Sequence, residues 1–146
     1  CFGVQSKKHN GCALRGNLIK LIERSLCIGS IYQEHAKLYA ICIYLLIKDK
    51  LDEIASLTIC NDEEFTYVKK YLLFLLVQTP RFEIISITEL RRRIGRNISS
   101  PADNYAKKYR KRGFNPAKWQ NGKVLDVVEV NYTIIGEYWN KLDKIK

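Results

Sequence analysis

Residues 38–47 form an unbroken apolar run, preceded by Glu34, His35 and Lys37. A helix that is apolar nearly all round has to be enclosed by other elements. The run is about half of the roughly 20 residues needed to cross a bilayer, so it predicts a buried helix over 34–47 at the centre of a bundle. The flanking stretches supply its neighbours. Leu14, Leu18, Leu21, Ile22 and Leu26 recur at helical spacing up to Gly29, and Phe65, Val68, Leu72, Leu75 and Leu76 do so up to Pro80. Between them Asp49, Asp52 and Glu53 resemble a helix start for a short helix carrying Leu51, Ile54 and Leu57, and Asn61 or Asp62 is the expected cap of the next one.

Beyond Pro80 the character changes. Residues 82–87 are β-branched enough for a short strand, and Thr88, Glu89 and Leu90 turn into a brief helix. Ser100 and Pro101 form a start signal for a basic helix over 102–112 that Gly113 ends. Asn121-Gly122 is a tight-turn dipeptide before an extended segment at 124–130, and 133–145 closes the chain as a helix with Ile134, Ile135, Tyr138, Trp139 and Leu142 inward. Residues 1–11 show no period and are expected to be a loose entry. The predicted class is mainly α, a helical bundle with a minor β element in the C-terminal half. One domain is expected over 1–146, with 12–78 as the bundle core and 81–146 as a basic half.

With 47% apolar residues in 146, the chain can bury a real core, and a folded domain is expected. Its formal charge of +10 concentrates polyanions, nucleic acid foremost. No leader with a small-residue cleavage site is legible, so a cytoplasmic protein without a membrane span is expected; the sequence opens on Cys1, so the natural start is expected upstream. The five cysteines, at positions 1, 12, 27, 42 and 60, include no Cys-x-x-Cys pair and meet only two histidines, which argues against zinc and for buried thiols.

Two groups of cations are candidates for anion binding. His35 and Lys37 are expected at the start of the central helix, where unpaired backbone N–H groups already favour a phosphate, with Lys69 and Lys70 converging from the next long helix. The second group is Arg91, Arg92, Arg93, Arg96, Lys107, Lys108, Arg110, Lys111 and Arg112, nine cations against the single Asp103. With Tyr105 and Tyr109 among them, they suit phosphate neutralisation and base stacking. No catalytic centre is legible. Asp62, Glu63 and Glu64 read as first-turn carboxylates favoured by the helix dipole, not as a metal pair. The arginines with Tyr105 and Tyr109 invite a tyrosine-recombinase comparison, but both histidines lie far upstream.

The segments Cys12-Ala13-Leu14-Arg15, Glu34-His35-Ala36-Lys37-Leu38-Tyr39, Asp52-Glu53-Ile54 and Phe65-Thr66-Tyr67-Val68-Lys69-Lys70-Tyr71 resemble the C-terminal domain of the large subunit of archaeal and eukaryotic primases. The similarity covers residues 12–76. That helical domain normally holds a four-iron cluster and grips the 5′-triphosphate of the initiating nucleotide or growing primer. The resemblance places Cys12, His35 with Lys37, and Tyr67 with Lys70 at the family's motif positions. It implies ATP or another nucleoside triphosphate as ligand, with Mg²⁺ arriving alongside. This chain has no cysteine after Cys60, so no iron–sulfur cluster is expected, and Lys37 replaces the family's arginine with a point charge. A cluster-less domain of this kind is similar to the noncatalytic PriX-type subunits of archaeal primases. That implies a role in RNA primer synthesis, with the primase catalytic and large subunits and a single-stranded DNA template or RNA primer as partners. Two other classes compete with it. One is a stand-alone DNA-binding module whose helix at 102–112 enters a major groove. The other is an interaction protein anchored on an acidic partner through Tyr138 and Trp139.

Overall fold

The computed structural model describes residues 2–3, 9–14, 16–26, 29–60, 64–77, 80–98, 107 and 126–145. Its helices are α1 (Gly16–Ser25), α2 (Ile31–Ile47), α3 (Phe65–Leu75), α4 (Ile87–Ile94) and α5 (Tyr132–Leu142), with a 3-10 turn at Leu51–Glu53. Short strands β1 (Phe2–Gly3), β2 (His9–Ala13), β3 (Ser56–Ile59), β4 (Glu83–Ser86) and β5 (Asp126–Glu129) complete it. The protein is mainly helical with a minor β component.

The apolar run becomes the central helix. Ala36, Ala40, Ile41 and Ile47 of α2 are fully buried, and α2 packs against α3, α5 and β2. Val68, Tyr71, Leu72 and Leu75 of α3 and Ile135, Trp139 and Leu142 of α5 close over it. Phe82, Ile84 and Val130 join the same core, so residues on both sides of Pro80 share one apolar interior.

Three expectations are corrected. Residues 56–59 are strand, not the end of a short helix: β3 pairs in parallel with β4, Leu57 opposite Ile84 and Ile59 opposite Ser86. Leu57 and Ile59 alternate inward, the period of a strand, and α3 is the crossover that a parallel pair requires. Within the expected loose entry, residues 2–3 and 9–11 are strand. β2 pairs antiparallel with β1 and in parallel with β5, Asn10 opposite Asp126 through Ala13 opposite Glu129, so the β structure is not confined to the C-terminal half.

The third correction moves the start of α2. Ser30 precedes it in an extended conformation and Ile31 is its first residue, so His35 and Lys37 stand in the second turn, below the free N–H groups. α3 begins at Phe65 after Glu64, and the expected caps Asn61 and Asp62 lie outside the described residues. So do Cys27, Lys108, Arg110, Lys111 and Arg112, with most of the expected basic helix; Lys107 is exposed. Cys42 and Cys60 are half-buried thiols.

Candidate functional site

The α2 cations sit in a setting unlike the one expected for a phosphate seat. The Lys37 ammonium donates to both oxygens of Glu34, at 3.2 and 3.3 Å, and to Oδ1 of Asp143 beyond the end of α5, at 2.6 Å. It also lies 5.3 Å from the centre of the Trp139 ring, within cation–π range. The Lys37 and Glu34 side chains are only 12% and 8% exposed. Burial pulls the Lys37 pKa down, but the hydrogen bonds to Asp143 and Glu34 more than offset it and hold the ammonium above the ordinary lysine value. Tyr71, on the neighbouring face of α3, is pushed up by burial while Lys37 pulls it the other way. Two carboxylates against one ammonium leave Lys37 already paired, and the cluster ties α2 to the end of α5.

Lys69 and Lys70 do not join Lys37. Lys69 lies 5.9 Å from the Phe65 ring and within electrostatic reach of Glu83 on β4. Successive helical residues turn by about 100°, so Lys69 is about 160° around α3 from Tyr71, which faces Lys37. Lys70 is exposed between these directions, and His35 is half-buried in the second turn of α2. The four residues therefore do not share one concavity.

A different grouping is assembled around Lys69. Ser86 begins α4 by accepting from the Glu89 N–H at 3.1 Å, and Gly95 ends it in a left-handed conformation at φ 62°. That short helix points three consecutive arginines at defined partners. Arg91 donates through Nε and Nη2 to the Ile98 carbonyl at 3.0 and 2.8 Å, pinning the turn beyond the helix. Arg92 forks onto Glu89 at 3.0 and 2.9 Å. Arg93 forks onto Glu83 at 2.7 Å on both arms and donates Nε to Glu89 at 2.8 Å.

The guanidiniums of Arg92 and Arg93 hold the Glu89 carboxyl down at about 2, and Arg93 likewise lowers Glu83 with help from Lys69. Both arginines are raised in turn. Arg92 and Arg93 thus interlock with two carboxylates across β4 and α4, Lys69 of α3 acts on Glu83 through its charge, and the exposed Arg96 lies just beyond the helix. Arg92 is 76% exposed and keeps N–H donors that Glu89 does not use.

Two signals for this arrangement were readable but unused. Ser86-x-x-Glu89 has the spacing of a helix start, and Glu89 stands three and four residues before Arg92 and Arg93. Trp139, expected as a surface anchor, is 1% exposed and belongs to the core. Among the described residues no group of His, Cys, Asp and Glu is placed to hold a metal ion, and no helix is long and apolar enough to cross a membrane. No protein-family model matches this chain, and neither a curated protein nor a solved structure matches it significantly.

Proposed function

We propose that this chain is a noncatalytic nucleic-acid-binding subunit of a primase. It would hold the backbone of a single-stranded template or RNA primer for a separate catalytic subunit. The observation that carries this is the surface of α4, where Glu83 and Glu89 pre-aim the guanidiniums of Arg92 and Arg93, with Lys69 in electrostatic reach of Glu83 and Arg96 exposed beyond the helix, on a chain of net charge +10. Arginine forks already ordered by a carboxylate lose little further freedom on meeting a phosphate. The resemblance of residues 12–76 to the primase large-subunit domain supports a primase as the assembly, and the mainly helical fold agrees with it.

Within this proposal a nucleoside triphosphate, ATP or another, with any Mg²⁺ it carries, would meet Lys69 and Lys70 before Lys37, whose charge is already spent on Glu34 and Asp143. Proximity is the chemical contribution: a strand and nucleotide held together no longer have to find the catalytic subunit separately.

The test is binding of a fluorescent single-stranded oligonucleotide across a salt series. For single strands the slope of log affinity against log salt is about 0.7 per phosphate contact, so Arg92→Ala with Arg96→Ala should lower it by about 1.4. An unchanged slope and affinity would remove this face from consideration. In a primase reconstituted from its catalytic and large subunits, adding the intact chain should raise primer initiation and the double variant should not.

A further inference from the structure

Toward the C-terminal end of α3 lies a cleft of about 490 Å³ lined by Tyr44, Leu73, Phe74, Val77, Tyr138 and Lys141, with Lys144 at its edge. Its walls come from α2, the end of α3 and the end of α5. Three of its apolar side chains are left in solvent: Leu73, Phe74 and Val77, the last 89% exposed. Val77 is also held at φ 60°, a left-handed conformation that β-branched residues rarely adopt. A strained valine projecting into water at a cleft mouth gives the folded monomer nothing.

The rim is cationic. Lys141 and Lys144 are exposed, and neither has a carboxylate partner among the described residues. Asp143, between them in sequence, is turned away and bound to Lys37 at 2.6 Å. Lys141 instead lies 4.8 Å from the centre of the Tyr138 ring, and Tyr44 meets Tyr138 edge-on at 5.2 Å.

We infer that this cleft docks an acidic amphipathic helix of a partner protein. The helix would lay apolar side chains spaced i, i+3 or i+4 and i+7 against Leu73, Phe74 and Val77, and its flanking carboxylates would meet Lys141 and Lys144. The chain's net charge of +10 opposes a second copy at a lysine-rimmed cleft. Nucleic acid fits less well: bases need open aromatic faces, whereas Lys141 covers Tyr138, Tyr44 packs edge-on against that ring, and the exposed Phe74 stands between the aliphatic Leu73 and Val77. The inference is independent of the arginine face on α4.

The test uses the intact ¹⁵N-labelled chain and two synthetic amphipathic helical peptides with the same Leu and Phe face, one flanked by Glu and the other by Lys. The Glu peptide should shift amide signals at Tyr44, Leu73 to Val77 and Tyr138 to Lys144, and the Lys peptide should bind at least tenfold more weakly. Phe74→Ser should weaken the Glu peptide at least tenfold, and Lys141→Glu with Lys144→Glu should reverse the preference. An oligonucleotide titration on the same samples should be unaffected by Phe74→Ser, which separates failure here from failure of the nucleic-acid proposal. Equal binding of the two peptides, binding of neither, a dimer that Phe74→Ser dissolves, or loss of oligonucleotide binding in Lys141→Glu each overturns the inference.

Discussion

Replacing Lys37 by Met separates a structural ammonium from a ligand-binding one. In the folded chain this group neutralises Glu34, whose side chain is 8% exposed, and reaches Asp143, whose side chain is 50% exposed. Without it Asp143 regains water, but Glu34 is stranded. Removing one partner of a fully buried pair costs about 3–5 kcal/mol, and the half-exposed Asp143 places this case at the lower end, about 3 kcal/mol. Loss of the cation–π contact with Trp139 adds roughly 0.5–1 kcal/mol, largely offset by the Met thioether against the same ring.

Against a typical total of about 5–15 kcal/mol the loss is large, and it corresponds to a fall in Tm of roughly 6–12 °C for a chain of this size. Denaturant unfolding followed by circular dichroism measures it. Glu34→Gln combined with Lys37→Met should recover at least half of the deficit. In the parent chain the folded ammonium is held above its ordinary value, so its contribution is complete below the usual lysine pKa. It is lost only as pH climbs through the raised one. A Lys37→Met protein within about 0.5 kcal/mol of the parent, with weakened ATP binding, would refute the structural role and return Lys37 to the triphosphate.

The arginine lattice makes its own predictions. The Glu89 carboxyl, followed by ¹³C NMR, should titrate near 2, and Arg93→Ala should move it up toward the ordinary glutamate range. Because that folded value is depressed, the stability it lends is present above the unfolded glutamate pKa of about 4.3 and is lost as pH falls toward about 2. A midpoint unmoved by Arg93→Ala would mean that the forks do not persist in solution. Ser86→Ala removes the acceptor for the Glu89 N–H and should cost about 1 kcal/mol by denaturant unfolding. An unchanged midpoint would show that α4 starts without this cap.

Legibility in the sequence followed the range of the interactions. α3 and α5 could be read from 3.6-residue periodicity and α2 from its unbroken apolar run, because both signals are local. β3 was misread because Leu51, Ile54 and Leu57 also fit a helical spacing. Its strand character depends on β4, whose Ile84 stands opposite Leu57. Likewise β2 owes its conformation to β5, more than a hundred positions away. Half of the Lys37 cluster was visible, since Glu34 is three residues upstream. Asp143, which takes the shorter contact, was not. A lysine counted as a binding cation from local sequence was neutralised by a carboxylate from the other end of the chain.

The same pairing motif has opposite consequences at the two charged clusters because burial and net sign differ. At Lys37 the carboxylates outnumber the cation and the ammonium and Glu34 are largely buried, so the energy of the pairing goes into joining α2 to α5. On α4 the cations outnumber the carboxylates and face solvent, where individual surface ion pairs contribute little to stability. The pairing there acts on geometry: Glu83 and Glu89 hold guanidiniums that would otherwise sample many rotamers. A phosphate arriving at Arg92 or Arg93 meets donors already fixed in direction, and a net positive field remains to attract it. On a chain with so many cations, function should therefore be sought where arginines are paired but outnumber their partners at the surface.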